Sequence, residues 1–240
     1  MKNHDEKLKF VHDAIRAYCQ GVVRHGPFAG MKIPGHGDKF YYILGTYELE
    51  LHPFIRSLSN EKFGRIINVG ACDGYYAVGL GLIYPDAKIH AFEVNEGSQK
   101  YLKWIAEENG IFDRMNISGR CSIRLLNEVL CDYQGRTLVF MDVEGSELSL
   151  LDPGLIPALN DCTIIVELHD YEFSGDHIIS GAIRRRFSGR NIQSVWSHPR
   201  TYEEVGPLLF KERPEDDIAK LLIDSVEENR PCDMEWFLIQ

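Results

Sequence analysis

The spacing of apolar side chains divides the chain near residue 60. Upstream, Leu8, Val11, Ile15, Tyr18 and Val22 recur three or four residues apart with charges between them, the period of one face of an amphipathic helix. The next stretch, GPFAGMKIPGHGDKFYYILG at 26–45, is punctuated by glycine and proline and reads as an irregular loop. A second helix is predicted within 46–58, with Pro53 either in its first turns or kinking it. Residues 1–60 therefore read as an N-terminal helical extension or cap, and residues 61–240 as the main domain.

From Arg65 onward, short apolar runs alternate with helical patterns. Strands are predicted at 66–69, 88–92, 115–118, 138–142, 163–168, 192–196 and 235–239. Helices are predicted at 75–83, 98–109, 123–130, 146–159, 177–187 and 216–226. Strict alternation of this kind implies an α/β fold, a mostly parallel sheet covered by helices on both faces.

Composition narrows the partners. Hydrophobic residues make up 44% of the 240, enough for a substantial core, and 36 acidic against 26 basic residues give a net charge of −10. Such a chain presents no broad basic surface, so neither nucleic acid nor an anionic membrane is an expected partner. The start, MKNHDEKLKF, carries no apolar run of signal-peptide length, and no segment reaches the roughly 18 apolar residues of a membrane span. A soluble, cytoplasmic protein is expected. The six cysteines include no CxxC pair, which suits reduced thiols better than a zinc site or a disulfide framework.

Candidate chemistry begins at RIINVGACDGYYAVGLG, residues 65–81, where a strand breaks into Gly70-Ala71-Cys72-Asp73-Gly74 and resumes as a helix. Ligands of open α/β sheets bind beyond the carboxyl ends of the strands, so this turn lies where a ligand is expected. A dinucleotide loop reads GxGxxG and points a helix amino terminus at a pyrophosphate; here Ala71 and Cys72 follow Gly70, and Asp73 places an acid in the loop. Glu93 ends the second strand some twenty residues on, where an acid meets ribose hydroxyls in nucleotide-binding folds. A loop acid, a ribose acid and no phosphate cradle suit a nucleoside carrying an amino acid, as S-adenosylmethionine does.

Three segments, INVGACDGYYAVGLG, IHAFEVN and LVFMDVEGSELSLLD, together resemble the class I S-adenosylmethionine-dependent methyltransferases. DVEGSE, with GPFAGMKIPG and LGTYELEL upstream, is similar to the FkbM-like branch. The resemblance implies a Rossmann-like seven-stranded sheet with a reversed final hairpin and S-adenosylmethionine as cofactor. It further implies that Gly70, Ala71, Asp73 and Gly74 line the methionine end of the cofactor and that Glu93 and Val94 meet the ribose. Adenine contacts fall to Gly119, Cys121 and Ser122, although no acidic residue stands between Ser118 and Arg124, where the family often has one.

Methyl transfer requires an aligned acceptor and a group that removes its proton. Asp142 at the end of the fourth strand, and His169 and Asp170 at the end of the fifth, are the candidate catalytic residues; His169 is either a general base or a structural histidine. Asp142 with Glu167, His169 or Asp170 offers an alternative, a hard divalent ion such as magnesium that binds acceptor oxygens. Glu147 reads as a carboxylate favouring a helix amino terminus, and Arg184, Arg185 and Arg186 as a solvated helix face. The expected activity is O-methylation of a small-molecule hydroxyl, on a sugar or another natural product. Two other readings stay open: a nucleoside-binding or regulatory protein of the same fold without turnover, and a nicotinamide-dependent oxidoreductase.

Overall fold

The computed structural model describes residues 3–35, 38–170, 177–230 and 232–240. Its strands are β1 (Arg65–Val69), β2 (Lys88–Phe92), β3 (Met115–Ser118), β4 (Thr137–Met141), β5 (Thr163–Leu168), β6 (Ile192–Trp196) and β7 (Glu235–Ile239). They form one sheet in the order β3-β2-β1-β4-β5-β7-β6, parallel except for β7, which runs antiparallel to β5 and β6. This is a seven-stranded, Rossmann-like fold with the reversed final hairpin implied by the sequence motifs. The inner strands β1, β4, β5 and β7 are buried along their whole length, which is why they read as continuous apolar runs rather than alternating ones.

Register places the site. Val69 pairs with Phe92 on one side and with Met141 on the other, and Met141 pairs with Val166. β1, β2 and β4 therefore end level, and the residues that follow, Gly70, Glu93 and Asp142, emerge on one edge of the sheet, while β5 runs on through Glu167 to Leu168. Strand order reverses between β1 and β4, and in open α/β sheets such a switch point opens a crevice for a ligand.

The chain forms α1 (His4–Cys19), α2 (Phe40–Leu44), α3 (His52–Leu58), α4 (Tyr75–Ile83), α5 (Glu96–Glu108), α6 (Ile123–Cys131), α7 (Glu147–Leu150), α8 (Ile178–Arg186), α9 (Tyr202–Leu209) and α10 (Asp216–Val226). The described residues group into two compact units, Met1–His52 with His198–Pro231, and Pro53–Ser197 with Cys232–Gln240. Residues 198–231, which the hydrophobic pattern groups with the sheet, thus cluster with the amino-terminal segment. In that first unit α1 and α10 pack together, and Arg200 and Arg230 lie in a buried ion cluster with Glu48, Glu50 and Glu228. In the second unit Leu126, Leu150, Leu159, Ile179, Ile183 and Phe187 cover one sheet face, while Tyr76 stacks on Phe140, ring centroids 4.0 Å apart, beside Trp236 on the other.

Several elements depart from the pattern-based expectation. The helix predicted at 146–159 is broken into α7 and a 3-10 helix, Pro157–Asp161. Between them Pro153 lacks the N–H a helix needs, and Asp152 Oδ1 turns the chain by accepting from Gly154 N at 2.9 Å. The loop at 26–45 contains α2, while His36 and Gly37 lie outside the described residues. The helix expected within 46–58 is a 3-10 turn, Leu49–Leu51, continued by α3, where Pro53 sits in the first turn and its missing N–H removes no helical bond. Helix α9 has no counterpart in the hydrophobic pattern, yet Thr201 and Glu204 form a capping box that announces it. Among the described residues no helix is long and apolar enough to cross a membrane.

Candidate functional site

A cavity of about 430 Å³ opens at the carboxyl ends of β1 to β4, within the range that small ligands and cofactors occupy. Its walls come from each strand end in turn: Gly70 and Cys72, Glu93 and Val94, Gly119 to Cys121, and Asp142 to Glu144 with Ser146. Of the residues assigned to a cofactor from sequence, Gly70, Glu93, Val94, Gly119 and Cys121 line this cavity.

The loop after β1 is held by its own backbone donors. Gly70 N and Ala71 N both donate to Phe92 O, at 3.0 and 2.9 Å, and Gly74 N donates to Ala71 O at 2.8 Å. Cys72 N donates to Glu93 Oε2 at 2.7 Å, and Asn95 N donates to Glu93 Oε1 at 2.6 Å. Glu93 is therefore a brace between two loops as well as an acid on the cavity wall. These four donors are therefore not offered to a pyrophosphate, which bears on the nicotinamide alternative.

Both loop glycines are required by the chain itself. Gly70 has φ +77°, and a Cβ there would lie 1.6 Å from Asp142 O, so its absence lets the end of β1 pass against the residue that follows β4. At Gly74, φ +91°, a Cβ would meet Leu102 Cδ1 at 2.3 Å, so this glycine seats the start of α4 against α5. Ala71, Asp73 and Gly74 do not line the cavity. Asp73 is buried and raises the Tyr101 phenol, after the larger effect of that phenol's own burial.

Two further residues lie outside the cavity lining and hold helix starts. Ser122 does not line the cavity; its Oγ caps α6 by accepting from Leu125 N at 3.2 Å. Arg120, which no sequence motif singles out, lines the cavity beside Cys121, whose thiol burial pushes up to about 12. Asp170 caps α8 instead of joining Asp142 and His169: Oδ1 accepts from Ile179 N at 2.6 Å and Oδ2 from Ser180 N at 3.2 Å. A loop residue followed by a helix start explains that role, because the first N–H groups of a helix have no partner within it.

Asp142 and His169 do come together. His169, 1% exposed, sits at the end of β5 with Nε2 3.6 Å from Asp142 Oδ1, 3.2 Å from Glu144 Oε2 and 3.6 Å from Glu167 Oε2. Its Nδ1 lies 2.5 Å from Glu147 Oε1. Burial alone would lower the imidazole pKa, but the Glu147 hydrogen bond and the carboxylates of Glu147, Asp142 and Glu144 outweigh it and hold the pKa above the ordinary value. Asp142, Glu144 and His169 also place one ligand atom each within 4.8 Å of one another. An imidazolium has no lone pair for a metal, so a divalent ion held by these atoms would displace a proton from His169 wherever the ring carries one. Arg184 and Arg185 are exposed on α8, in line with a solvated helix face, whereas Arg186 is half-buried. Arg184 pairs with Glu235 at 3.1 Å, and Arg186 donates to the carbonyls of Leu148 and Leu151 at 2.5 and 3.0 Å.

No protein-family model and no curated protein matches the chain. Solved structures do resemble it. The O-methyltransferase TomG from Streptomyces achromogenes, involved in tomaymycin synthesis and in complex with SAM, is 14% identical over 100% of this chain and 91% of its own, with a TM-score of 0.48. An O-methyltransferase from Bacillus cereus in complex with SAH is 12% identical over 100% and 92%, TM-score 0.48. A protein from Klebsiella pneumoniae described as a putative O-methyltransferase is 10% identical over 98% and 90%, TM-score 0.48. At this similarity the assignment of the fold rests on the chain's own strand order.

Proposed function

We propose that the chain is an S-adenosylmethionine-dependent methyltransferase of the FkbM-like branch, acting on a hydroxyl of a small-molecule acceptor such as a sugar or another natural product. The observation that carries this reading is the wiring of the glycine loop. The N–H groups of Gly70, Ala71, Cys72 and Gly74 are committed to Phe92 O, Ala71 O and the Glu93 carboxylate, so these four donors offer no phosphate cradle, and Glu93 stands on the cavity wall where a ribose would lie. Glu93 and Val94 would hold the ribose, and Gly119, Arg120 and Cys121 the base. Gly70 and Asp142 would border the methionine end. When bound, S-adenosylmethionine supplies a methyl group on a sulfonium centre, whose C–S electron pair stays on sulfur as the new C–O bond forms. Within this reading the enzyme works in the cytoplasm, in keeping with cysteines that follow no framework spacing.

The chain's own task is to order the acceptor and take its proton. Asp142 lines the cavity, where a hydroxyl would meet its carboxylate, and His169 Nε2 lies 3.6 Å from Asp142 Oδ1. Calorimetric titration with S-adenosylmethionine and, separately, with NADH tests the reading. Saturable binding of the first alone supports it; binding of NADH alone overturns it in favour of an oxidoreductase. Transfer of a labelled methyl group to a panel of hydroxyl compounds then separates an enzyme from a binding protein of the same fold.

A further inference from the structure

The cavity carries its charges unevenly. Its acids are Glu93 after β2 and Asp142 and Glu144 after β4, and its one cation among the described residues is Arg120 after β3. The strand ends that Arg120 and Asp142 follow lie three strand spacings apart, about 14 Å. Arg120 is exposed and makes no hydrogen bond or ion pair among the described residues. The backbone that carries it is nevertheless fixed on both sides. Ser118 O accepts from Glu93 N at 2.9 Å, and Ser122 Oγ caps α6 by accepting from Leu125 N at 3.2 Å. Only residues 119–121 lie between, so the guanidinium is tethered at the β3 end of the cavity with its donors uncommitted.

Asp142 and Glu144 attract the sulfonium and ammonium charges of S-adenosylmethionine to one end of the cavity, and Arg120 repels them from the other, which leaves the base to Arg120. A guanidinium only donates hydrogen bonds. The 6-amino group of adenine also donates, so the two do not pair, and the atoms that adenine offers to a donor are its ring nitrogens. No carboxylate stands free at this end to accept from the amino group: Glu93 is tied through its two oxygens to Cys72 N and Asn95 N, and Asp142 and Glu144 lie beyond β1. We propose that Arg120 is the residue that reads the base, donating to acceptor atoms of the purine ring, and that the site does not select for a 6-amino group. The inference deepens the methyltransferase reading and rests on it for the identity of the nucleoside. A purine with a 6-oxo group in place of the amine presents neighbouring acceptors, O6 and N7, the pair that arginine grips in guanine, whereas adenine presents N7 alone on that edge. Base selectivity here therefore runs opposite to that of a pocket with an acid at the same position.

The test reads binding and needs no acceptor. The full chain is titrated calorimetrically with S-adenosylhomocysteine and with S-inosylhomocysteine, which differ only along the base edge that carries the 6-substituent. The 6-oxo compound is expected to bind the wild type within about threefold of the 6-amino compound, or more tightly, a margin smaller than one typical hydrogen bond supplies. Arg120→Ala is expected to weaken both about tenfold, the loss of a charged hydrogen bond. Arg120→Glu, which puts an acceptor in its place, should turn the preference toward adenine. Arg124→Ala removes a positive charge that pairs with Glu128 away from the cavity lining, and should leave both affinities unchanged. A larger preference of the wild type for adenine, or unchanged binding in Arg120→Ala, would overturn the proposal. Arg120 is exposed and unpaired, so its variants are expected to fold, and the wild-type comparison needs no variant. The two readings fail separately: adenine-selective binding removes the role of Arg120 and leaves the methyltransferase reading standing, whereas binding of neither compound removes both.

Discussion

Replacing Gly70 by alanine should damage both the fold and the cavity. The residue has φ +77°, where an L side chain costs roughly 1–2 kcal/mol. The new Cβ would also sit 1.6 Å from Asp142 O, a backbone atom following β4 that cannot rotate away. Relieving that overlap means separating β1 from β4 at their carboxyl ends, and overpacking of this kind costs about 1–3 kcal/mol. The combined loss, about 2–5 kcal/mol, corresponds to a fall in Tm of about 4–20 °C for a domain of this size. Two glycines serve as controls. Gly110 has φ +68° but no atom within 4 Å of the point a Cβ would occupy, so Gly110→Ala isolates the conformational cost. Gly119 has neither a positive φ nor a neighbour within 4 Å, so Gly119→Ala should change stability by no more than about 0.5 kcal/mol. Thermal and urea unfolding of the three variants measures the series. If Gly70→Ala is no less stable than Gly110→Ala, the close approach of Gly70 to Asp142 is not what the residue is for, and the argument for its place in the site fails.

Four further outcomes are expected. Glu93→Gln keeps the side chain's size but weakens its acceptor role toward Cys72 N and the ribose, so calorimetry should show S-adenosylmethionine binding reduced about tenfold or more, the loss of a charged hydrogen bond. Ser122→Ala removes the cap of α6 and should cost about 1 kcal/mol in urea unfolding while leaving cofactor affinity unchanged. Arg186→Ala leaves the carbonyls of Leu148 and Leu151 and the Asp152 carboxylate without their guanidinium, and a loss of about 2–3 kcal/mol in the same assay would register it. Because the folded pKa of His169 is raised, its contribution to stability is complete below the unfolded value near 6.5 and is lost as pH rises through the folded pKa. The difference in Tm between the wild type and His169→Gln should therefore shrink as pH rises above about 6.5.

Much of this site is legible in the amino-acid pattern. A buried parallel strand is apolar throughout and a surface helix is apolar on one face, so local pattern suffices to locate β1, β2, β4, β5 and β7 to within a residue or so. The same pattern identifies Gly70, Glu93 and Asp142 as the residues that follow strand ends. Helix α7 escapes this logic because its four residues carry no period, and because Pro153 ends what LSLL begins.

What the sequence by itself determined is the order of the elements and which residues close each strand, because hydrophobic period and turn chemistry act over a few neighbouring residues. What only the tertiary structure decided is which of those residues meet. Asp170 and His169 are adjacent in sequence, yet one caps α8 and the other turns toward Asp142. Glu147 is separated from His169 by 22 positions and carries no local mark that sets it apart from any acid at a helix start. Its role exists only because packing removes water from both side chains and leaves each as the other's partner, a long-range consequence of desolvation that no local pattern encodes.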